Sequence, residues 1–284
     1  MLKAIILDVD GVIVGKKQGV NFPLPNELVT QKLKEVQTSG IPVVLCTAKF
    51  HYAVQKIIEQ ARLRNPHITD GGALIIDPLG SSIIKKHTLD KQLVHSIVST
   101  CLNDNLYTEV YKAEDYYIQK GQINTFTEQR LKVLQKEPKV VDSLVARLAN
   151  LDVIKIIAFA KDEEDIKRVE HTLQPFMSQI HLVFTMNPVH LPFRNGIITT
   201  KGISKKQATK EVLDYLNISP ADTLAVGDTL GDWNFMKVCG YAATVGNDSQ
   251  ELKDLTKTKG DGNYFFGSSV DNNGLLDILN YFGL

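Results

Sequence analysis

Three short apolar runs constrain the fold of this chain more than any other feature of its sequence. Residues 3–7 (KAIIL), 41–46 (IPVVLC) and 223–226 (TLAV) lack the apolar–polar alternation that marks a half-exposed strand. Continuous runs of this length are typical of parallel strands buried on both faces. Segments with helical periodicity, near residues 26–39 and 204–216, lie between them. This alternation of strands and helices predicts the α/β class, with a doubly wound, Rossmann-like parallel sheet.

The middle of the chain follows a different pattern. Its predicted strands lie at residues 107–111, 116–119, 153–159 and 181–186, and its predicted helices lie at residues 128–137, 141–148 and from Asp162 onward. This order departs from regular strand–helix alternation and indicates an α+β unit inserted into the doubly wound one. We predict an inserted domain at residues 82–198 and a core domain formed by residues 1–81 and 199–284.

The charge balance and the start of the sequence argue against several classes of protein. Lys and Arg total 32, as do Asp and Glu, so the formal net charge is +0, unlike proteins that hold nucleic acid by a general basic field. The sequence contains no run of about 18 apolar residues, so it predicts no membrane-spanning helix. The first apolar run is short and is followed directly by Asp8 and Asp10, unlike a signal peptide. Three widely separated cysteines are interpreted as reduced thiols. We therefore expect a cytoplasmic protein that binds neither nucleic acid nor membrane.

An acid pair, Asp8 and Asp10, directly follows the first predicted strand. Ligands of open parallel sheets bind at the carboxyl ends of the strands, and residues two apart in extended chain point the same way. Two adjacent carboxylates repel each other unless a cation lies between them, and Mg²⁺ prefers such oxygen ligands. Gly11 permits a tight turn after the pair. The alternative interpretation is a loop that begins with two solvated acids.

Polar residues also mark the second predicted strand and the helix near residue 204. Thr47 ends the strand, and its hydroxyl and the amide of Ala48 are candidates to hold a phosphate oxygen. Lys205 follows Ser204 at the predicted helix start. A cation is unfavourable at a helix N-terminus, so a bound anion would explain this lysine. A solvated lysine is the alternative.

A second acid pair, Asp228 and Asp232, follows the third predicted strand after a glycine. Two acids four apart suit a metal ligand and a partner that orients the metal site, although either acid could instead cap a helix. Polar residues with possible catalytic or binding roles thus stand at the end of each of the three predicted strands. The combination favours one site at the carboxyl edge of the sheet.

Together, the four motifs resemble those of the haloacid dehalogenase superfamily of phosphohydrolases. Their order and spacing are similar to the Cof-like branch (type IIB), which carries a large α/β cap between the second and third motifs. The resemblance covers nearly the whole chain, including residues 152–173. Three positions depart from the usual pattern: Thr47-Ala48-Lys49 stands where Thr-Gly-Arg is usual, Gly231 where Asn is usual, and Val12 where Thr is common. Asp8, Asp10, Thr47, Lys205, Asp228 and Asp232 all match the pattern.

The resemblance implies a Mg²⁺-dependent phosphatase that forms an aspartyl phosphate. It implies that Asp8 is the nucleophile and that Asp10 is the acid and base. It also implies that Mg²⁺ is bound by the Asp8 side chain, the Asp10 main-chain carbonyl and Asp228, and that Asp232 holds the shell of the ion. The phosphate would be bound by Thr47, Ala48 and Lys205. An inserted cap would close over the core and choose the substrate. Candidate specificity residues are Tyr107, Tyr111, Tyr116, Tyr117, Asn187, His190 and Arg194.

The implied substrate is a small phosphorylated metabolite, such as a sugar phosphate or a phosphorylated cofactor, and the expected assembly is a monomer or homodimer. Two other functions remain open at this point. A phosphosugar mutase would use the same scaffold, and a non-catalytic protein would bind a phosphometabolite with a degenerate site. A P-loop kinase or NTPase is disfavoured because the sequence contains no GxxxxGK[ST] loop.

Overall fold

The computed structural model describes residues 2–77, 82–134, 136–186, 192–246 and 248–284, without the side chains of residues 132, 133 and 186. Asn187 and His190, two of the candidate specificity residues, lie outside the described residues. The chain divides into two compact units. The first comprises Met1–Lys85 and Lys205–Leu284, and the second is the intervening Lys86–Ser204.

The described residues form fourteen strands and ten α-helices. The strands are β1 (Ala4–Leu7), β2 (Val43–Leu45), β3 (His67–Thr69), β4 (Leu74–Ile76), β5 (Ile83–Lys86), β6 (Thr108–Tyr111), β7 (Tyr116–Gln119), β8 (Lys139–Val141), β9 (Lys155–Ala160), β10 (Ile180–Met186), β11 (Arg194–Thr200), β12 (Thr223–Gly227), β13 (Tyr241–Thr244) and β14 (Tyr264–Phe266). The helices are α1 (Glu27–Thr38), α2 (Gln55–Gln60), α3 (Lys91–Asn103), α4 (Thr125–Leu134), α5 (Leu144–Leu148), α6 (Glu163–Leu173), α7 (Lys205–Tyr215), α8 (Trp233–Met236), α9 (Gln250–Lys257) and α10 (Gly274–Tyr281).

A five-stranded parallel sheet, in the order β14-β13-β12-β1-β2, forms the centre of the first unit. Leu7 of β1 lies opposite Leu45 of β2 on one side and Val226 of β12 on the other. The strand order therefore reverses at β1, which is where open α/β sheets bind their ligands. The parallel sheet confirms the predicted α/β class.

The core of this unit explains why its strands are apolar throughout. Ile6 of β1 and Val44 of β2 pack in one cluster with Val212 of α7 and Phe235 of α8, all with no solvent exposure. A strand covered in this way has no face on which a polar side chain is tolerated. The cluster holds β1 and β2 against the helix that begins at Lys205.

Helix α1 begins and faces inward much as predicted. The Asn26 side chain accepts a hydrogen bond from the Leu28 amide and so caps the helix. The buried residues are Val29, Leu33 and Val36. The helical periodicity of residues 26–39 predicts Leu28, Leu33 and Val36 on the inner face, and for Leu28 this prediction is wrong, because Leu28 is 62% exposed. The residue after it fills the core position instead.

The second unit is built on a six-stranded sheet in the order β10-β11-β9-β6-β7-β8. Its strand pairs are antiparallel except β7–β8, which is parallel. Val110 and Ile156 pack on one face against Ile97 of α3 and Val169 of α6. The sequence analysis did not predict α3, β8 or β11.

Three tyrosines proposed to set specificity are part of this unit's interior. Tyr111, Tyr116 and Tyr117 are 0%, 1% and 2% exposed, and Tyr111 stacks on Tyr116. Their packing makes them core residues, so their predicted role in contacting substrate is wrong.

Among the described residues, no helix combines the length and hydrophobicity that crossing a lipid bilayer requires.

Candidate active site

The site begins where β1 ends. The Asp8 amide donates to the Val226 carbonyl of β12 at 2.9 Å, which continues the sheet to the first acid. The chain then turns back on itself, because the Val14 amide bonds to the Val9 carbonyl at 2.9 Å and the Gly11 amide to the Val14 carbonyl at 2.8 Å. This turn presents Asp8 at the carboxyl edge of the sheet.

Gly11 is required at this turn for two reasons. Its φ of +81° lies in the left-handed region that favours glycine. A Cβ at this position would lie 1.8 Å from Oδ2 of Asp228. The missing side chain therefore leaves the space in which the two acid motifs meet.

Three carboxylates converge in this space. Asp8, Asp228 and Asp232 each offer an oxygen within 4.8 Å of the others, and no other such group of His, Cys, Asp or Glu occurs in the part of the chain that the structure describes. Lys205 Nζ lies 3.0 Å from Asp8 Oδ1 and 2.7 Å from Asp232 Oδ1. The start of α7 thus brings one ammonium into contact with two of the three carboxylates.

The electrostatics of the cluster reflect this imbalance. Burial and, after it, the nearby Asp232 carboxylate raise the pKa of Asp8 to about 7, although the Lys205 ammonium opposes both effects. Burial and the neighbouring acids Asp232 and Asp8 raise the pKa of Asp228 well above its ordinary value. Asp228 is partly exposed as a residue, but its Oδ1 is enclosed. One ammonium therefore does not stabilise all three carboxylates in their ionised form.

Asp232 differs from its two neighbours. Burial opposes its ionisation, but the Lys205 ammonium and hydrogen bonds from Thr229 hold the pKa of Asp232 below its usual value. Its Oδ2 accepts from the Thr229 hydroxyl at 2.7 Å, the Thr229 amide at 3.1 Å and the Asp228 amide at 3.3 Å. Asp232 precedes α8 without capping it, so the alternative interpretation of a helix cap does not hold here.

A hard divalent cation fits this donor set. The carboxylate oxygens of Asp8 and Asp228 are the ligand type that Mg²⁺ prefers. A cation beside them would offset the repulsion that raises both pKa values. Asp232 is already held through both oxygens by Lys205 and Thr229, so it is placed to orient the site. The Asp10 main-chain carbonyl is the fourth group that the family resemblance implies.

The second motif lies beside β1, as the sheet order requires. Thr47 is 1% exposed and follows β2, whose neighbour Cys46 donates its amide to the Leu7 carbonyl at 2.7 Å. The Thr47 hydroxyl accepts from the Lys49 amide at 3.0 Å, and Ala48 between them is half-buried. The predicted phosphate-binding residues Thr47 and Ala48 therefore lie on the loop next to the one that carries Asp8.

Asp10 lies at the start of the turn after β1, where it bridges to Val14, and its carboxylate adds to the negative charge that raises the pKa of Asp8. Its carboxylate does not join the three-acid cluster, and its Oδ1 lies 2.9 Å from Lys49 Nζ. In the sequence, Lys49 stands out only as a departure from the family pattern, and no role was predicted for it. Its basic character two residues after Thr47 was the available signal.

Comparisons with known proteins identify the family of the chain. The family model for haloacid dehalogenase-like hydrolases matches residues 5–277. Phosphatase YwpJ of Bacillus subtilis (strain 168) is 28% identical over 281 residues, which cover 89% of this chain and 93% of the relative.

Solved structures give the same result for the fold. A haloacid dehalogenase-like hydrolase from Bacteroides thetaiotaomicron superposes with a TM-score of 0.82 at 16% identity, covering 99% of this chain and 100% of its own. A sugar phosphatase of subclass IIB of this superfamily superposes with a TM-score of 0.78 at 18% identity, covering 99% of both chains. At these identities the structural matches establish the fold.

Proposed function

Because the chain belongs to the family of haloacid dehalogenase-like hydrolases, we propose that it is a Mg²⁺-dependent phosphatase that forms an aspartyl phosphate on Asp8. One observation carries the proposal: the Asp8 carboxylate lies at the carboxyl end of β1, within the three-acid cluster and 3.0 Å from Lys205 Nζ. The similarity to phosphatase YwpJ supports the reaction class.

The geometry of Asp8 distinguishes its two oxygens. Oδ1 accepts a hydrogen bond from the Val9 amide at 2.8 Å and contacts Lys205, so we assign the attack on phosphorus to Oδ2. Attack forms a P–O bond to Asp8 while the ester P–O bond breaks, and its electron pair leaves with the ester oxygen. Bound Mg²⁺ would supply positive charge that lets an anionic carboxylate approach an anionic phosphate.

Asp10 serves both halves of the proposed reaction. Its carboxyl group gives a proton to the departing ester oxygen and later takes a proton from the water that attacks the phosphoryl group. That attack breaks the P–O bond to Asp8 and returns its carboxylate, releasing inorganic phosphate. Lys205, the Thr47 hydroxyl and the Ala48 amide would hold the non-bridging phosphate oxygens.

The substrate class that we propose is a phosphate monoester of a small metabolite. The structural neighbour described as a sugar phosphatase and a 24% identical relative named phosphoglycolate phosphatase, from Methanosarcina mazei, support phosphorylated sugars and small phosphorylated acids as first candidates.

Phosphate release from 4-nitrophenyl phosphate and from a panel of phosphorylated sugars and acids tests the proposal. The assay compares the wild type with Mg²⁺, the wild type with chelator, and Asp8→Asn. We expect release to require Mg²⁺ and to fall at least about a thousandfold in Asp8→Asn. Asp254→Asn, which changes an exposed acid on α9, is the matched control and should retain full activity.

Rapid quenching followed by peptide mass analysis gives an independent readout. A phosphoryl group should be found on the peptide that carries Asp8 during turnover. Folded wild type that releases no phosphate from any ester, or Asp8→Asn that retains Mg²⁺-dependent release, would contradict the proposed function.

A further inference from the structure

The backbone of Lys49 is hydrogen-bonded through both its amide and its carbonyl group. Its amide donates to the Thr47 hydroxyl at 3.0 Å, and its carbonyl accepts from the Asp70 amide at 2.9 Å. The Gly71 amide bonds to the Thr47 carbonyl at 3.1 Å, so the loop after β3 holds both ends of the segment. Phe50, the next residue, is 1% exposed. The Lys49 side chain therefore starts from an anchored position.

The side chain reaches the second acid of the first motif. Lys49 Nζ lies 2.9 Å from Asp10 Oδ1, and the two side chains are 11% and 25% exposed. An ion pair shielded to this extent holds its partner more firmly than one on an open surface. Asp8 is held by a different lysine, Lys205, at 3.0 Å. The two acids of one motif thus contact separate lysines, one after β2 and the other at the start of α7.

Asp10 needs such a partner more than Asp8 does. Asp8 is enclosed by the acid cluster and by the Val9 amide, whereas Asp10 lies at the start of a tight turn outside the cluster. Proton transfer requires the carboxyl group within hydrogen-bond reach of the ester oxygen. A misplacement of about 1 Å can cost on the order of a hundredfold in rate.

We propose that Lys49 is a positioning residue that holds the Asp10 carboxyl group toward the ester oxygen of the substrate. The inference rests on the proposed phosphatase function and extends it. Lys49 acts through Asp10 and does not itself contact the phosphate. Its removal should therefore damage only those reactions in which the leaving group needs a proton.

Two esters with different leaving groups separate this role from others. An alkyl phosphate needs protonation of its leaving oxygen, whereas 4-nitrophenolate leaves without it. The value of kcat/KM reports the steps through formation of the aspartyl phosphate. For Lys49→Met we expect kcat/KM on the alkyl ester to fall about thirtyfold or more, and kcat/KM on 4-nitrophenyl phosphate to fall less than about threefold.

Matched variants complete the test. Lys49→Arg keeps the charge and should restore the alkyl-ester reaction to within about threefold of the wild type. Lys56→Met changes an exposed lysine on α2 and should leave both esters unaffected. Asp10→Asn should show the same selective loss as Lys49→Met, and the double variant should be no worse than Asp10→Asn alone, because the two residues act as one unit.

The results that would contradict the proposed role of Lys49 can be told apart. An equal loss of kcat/KM on both esters in Lys49→Met would show that Lys49 binds phosphate and would overturn the positioning role. Unchanged activity in folded Lys49→Met or Lys49→Gln would overturn it as well. Wild type that is inactive on both esters would contradict the phosphatase function itself and the Lys49 role with it, and it is recognised without any Lys49 variant.

Discussion

The Thr229 hydroxyl donates a 2.7 Å hydrogen bond to Oδ2 of Asp232, while Lys205 contacts Oδ1 of the same carboxylate, also at 2.7 Å. The sequence resembles a motif that usually carries an asparagine where this chain has Gly231, so a side-chain amide that could orient the neighbouring acid is missing. The two contacts, together with the Thr229 amide, fix Asp232 without that asparagine. Thr229 of the same loop and Lys205 of α7 therefore hold the acid despite the departure at position 231.

Thr229 should accordingly be important for turnover. Thr229→Val removes the hydroxyl donor to a buried carboxylate, and such a bond contributes about 1.5–3 kcal/mol. We expect the rate of phosphate release to fall at least about tenfold, because Asp232 in turn positions Lys205. Thr229→Ser keeps the donor and should stay within about threefold of the wild type. Equal rates for the two variants in a steady-state assay would show that the hydroxyl does not hold Asp232.

Gly11→Ala should disrupt the meeting point of the two acid motifs. Its Cβ would lie 1.8 Å from Asp228 Oδ2, and the backbone there has positive φ. Gly19 also has positive φ, +72°, but open space beyond its Cα, so Gly19→Ala is the matched control for backbone strain alone. That strain costs about 1–2 kcal/mol in either variant.

The difference between the two glycine variants isolates the effect on the acid cluster. Calorimetric titration with Mg²⁺ should show at least about tenfold weaker binding for Gly11→Ala than for Gly19→Ala. Gly11→Ala that binds Mg²⁺ as tightly as its control would contradict the proposed binding of the ion by Asp8 and Asp228.

The second unit should depend on its buried ion pair. Arg130 contacts Glu109 through Nε at 3.0 Å and Nη2 at 2.8 Å, and the two residues are 4% and 0% exposed. Arg130→Met leaves a buried carboxylate without its main counter-charge, which typically costs about 3–5 kcal/mol of unfolding free energy. Denaturant unfolding followed by circular dichroism measures this loss, and faster hydrogen exchange in β6 and β9 localises it.

Two further variants test whether the cost comes from the isolated charge. Adding Glu109→Gln to Arg130→Met removes the orphaned carboxylate and should recover part of the stability. Lys3→Met removes an exposed partner of Asp222 and should leave the unfolding midpoint nearly unchanged. If Arg130→Met behaves like Lys3→Met, the buried pair does not stabilise this unit.

His67 should make the chain less stable in mild acid. Burial lowers the pKa of His67 to about 3, and its Nδ1 accepts from the Leu45 amide at 3.2 Å. The folded state disfavours the protonated ring, so the unfolded state binds the proton more readily and stability falls as pH drops below about 6.5. The expected loss from this residue between pH 7 and pH 5 is about 2 kcal/mol.

The dependence of stability on pH, not its absolute value, is the measurement for His67. His67→Asn keeps an acceptor near the Leu45 amide and should flatten the curve between pH 7 and pH 5. His95→Gln changes an exposed histidine on α3 and should leave the curve as in the wild type. An unchanged curve in His67→Asn would show that another group causes the acid sensitivity.

Sequence reasoning succeeded where local pattern and tertiary position are tightly linked. Strands β1, β2 and β12 are apolar because both faces are covered, and parallel strands necessarily bring their carboxyl ends to one edge. Asp8, Thr47 and Asp228 could therefore be placed near one another without coordinates. The prediction that they form a functional site rested on the acids that directly follow the apolar runs.

The partner of Asp10 was missed for a physical reason. Lys49 lies 39 positions after Asp10, and their contact depends on a turn and on hydrogen bonds from the loop after β3. Nothing in the local sequence of either residue specifies that geometry. The three-residue strand β14 was also missed, because it is too short to show a period and, unlike β2, is not fully buried. Helix α3, by contrast, carries a cap at Asp90 and an apolar stripe, which were available signals.

The position of β1 between β2 and β12 has a consequence for synthesis on the ribosome. The partners of β1 on one side are residues 43–45, but those on the other side are residues 223–226. The whole of Lys86–Ser204, with its own six-stranded sheet, is translated between them and can collapse first. Until residues 223–226 emerge, one edge of an entirely apolar strand stays open, and such an edge is a site of aggregation. The nascent chain is therefore a candidate client for chaperones over that interval of translation.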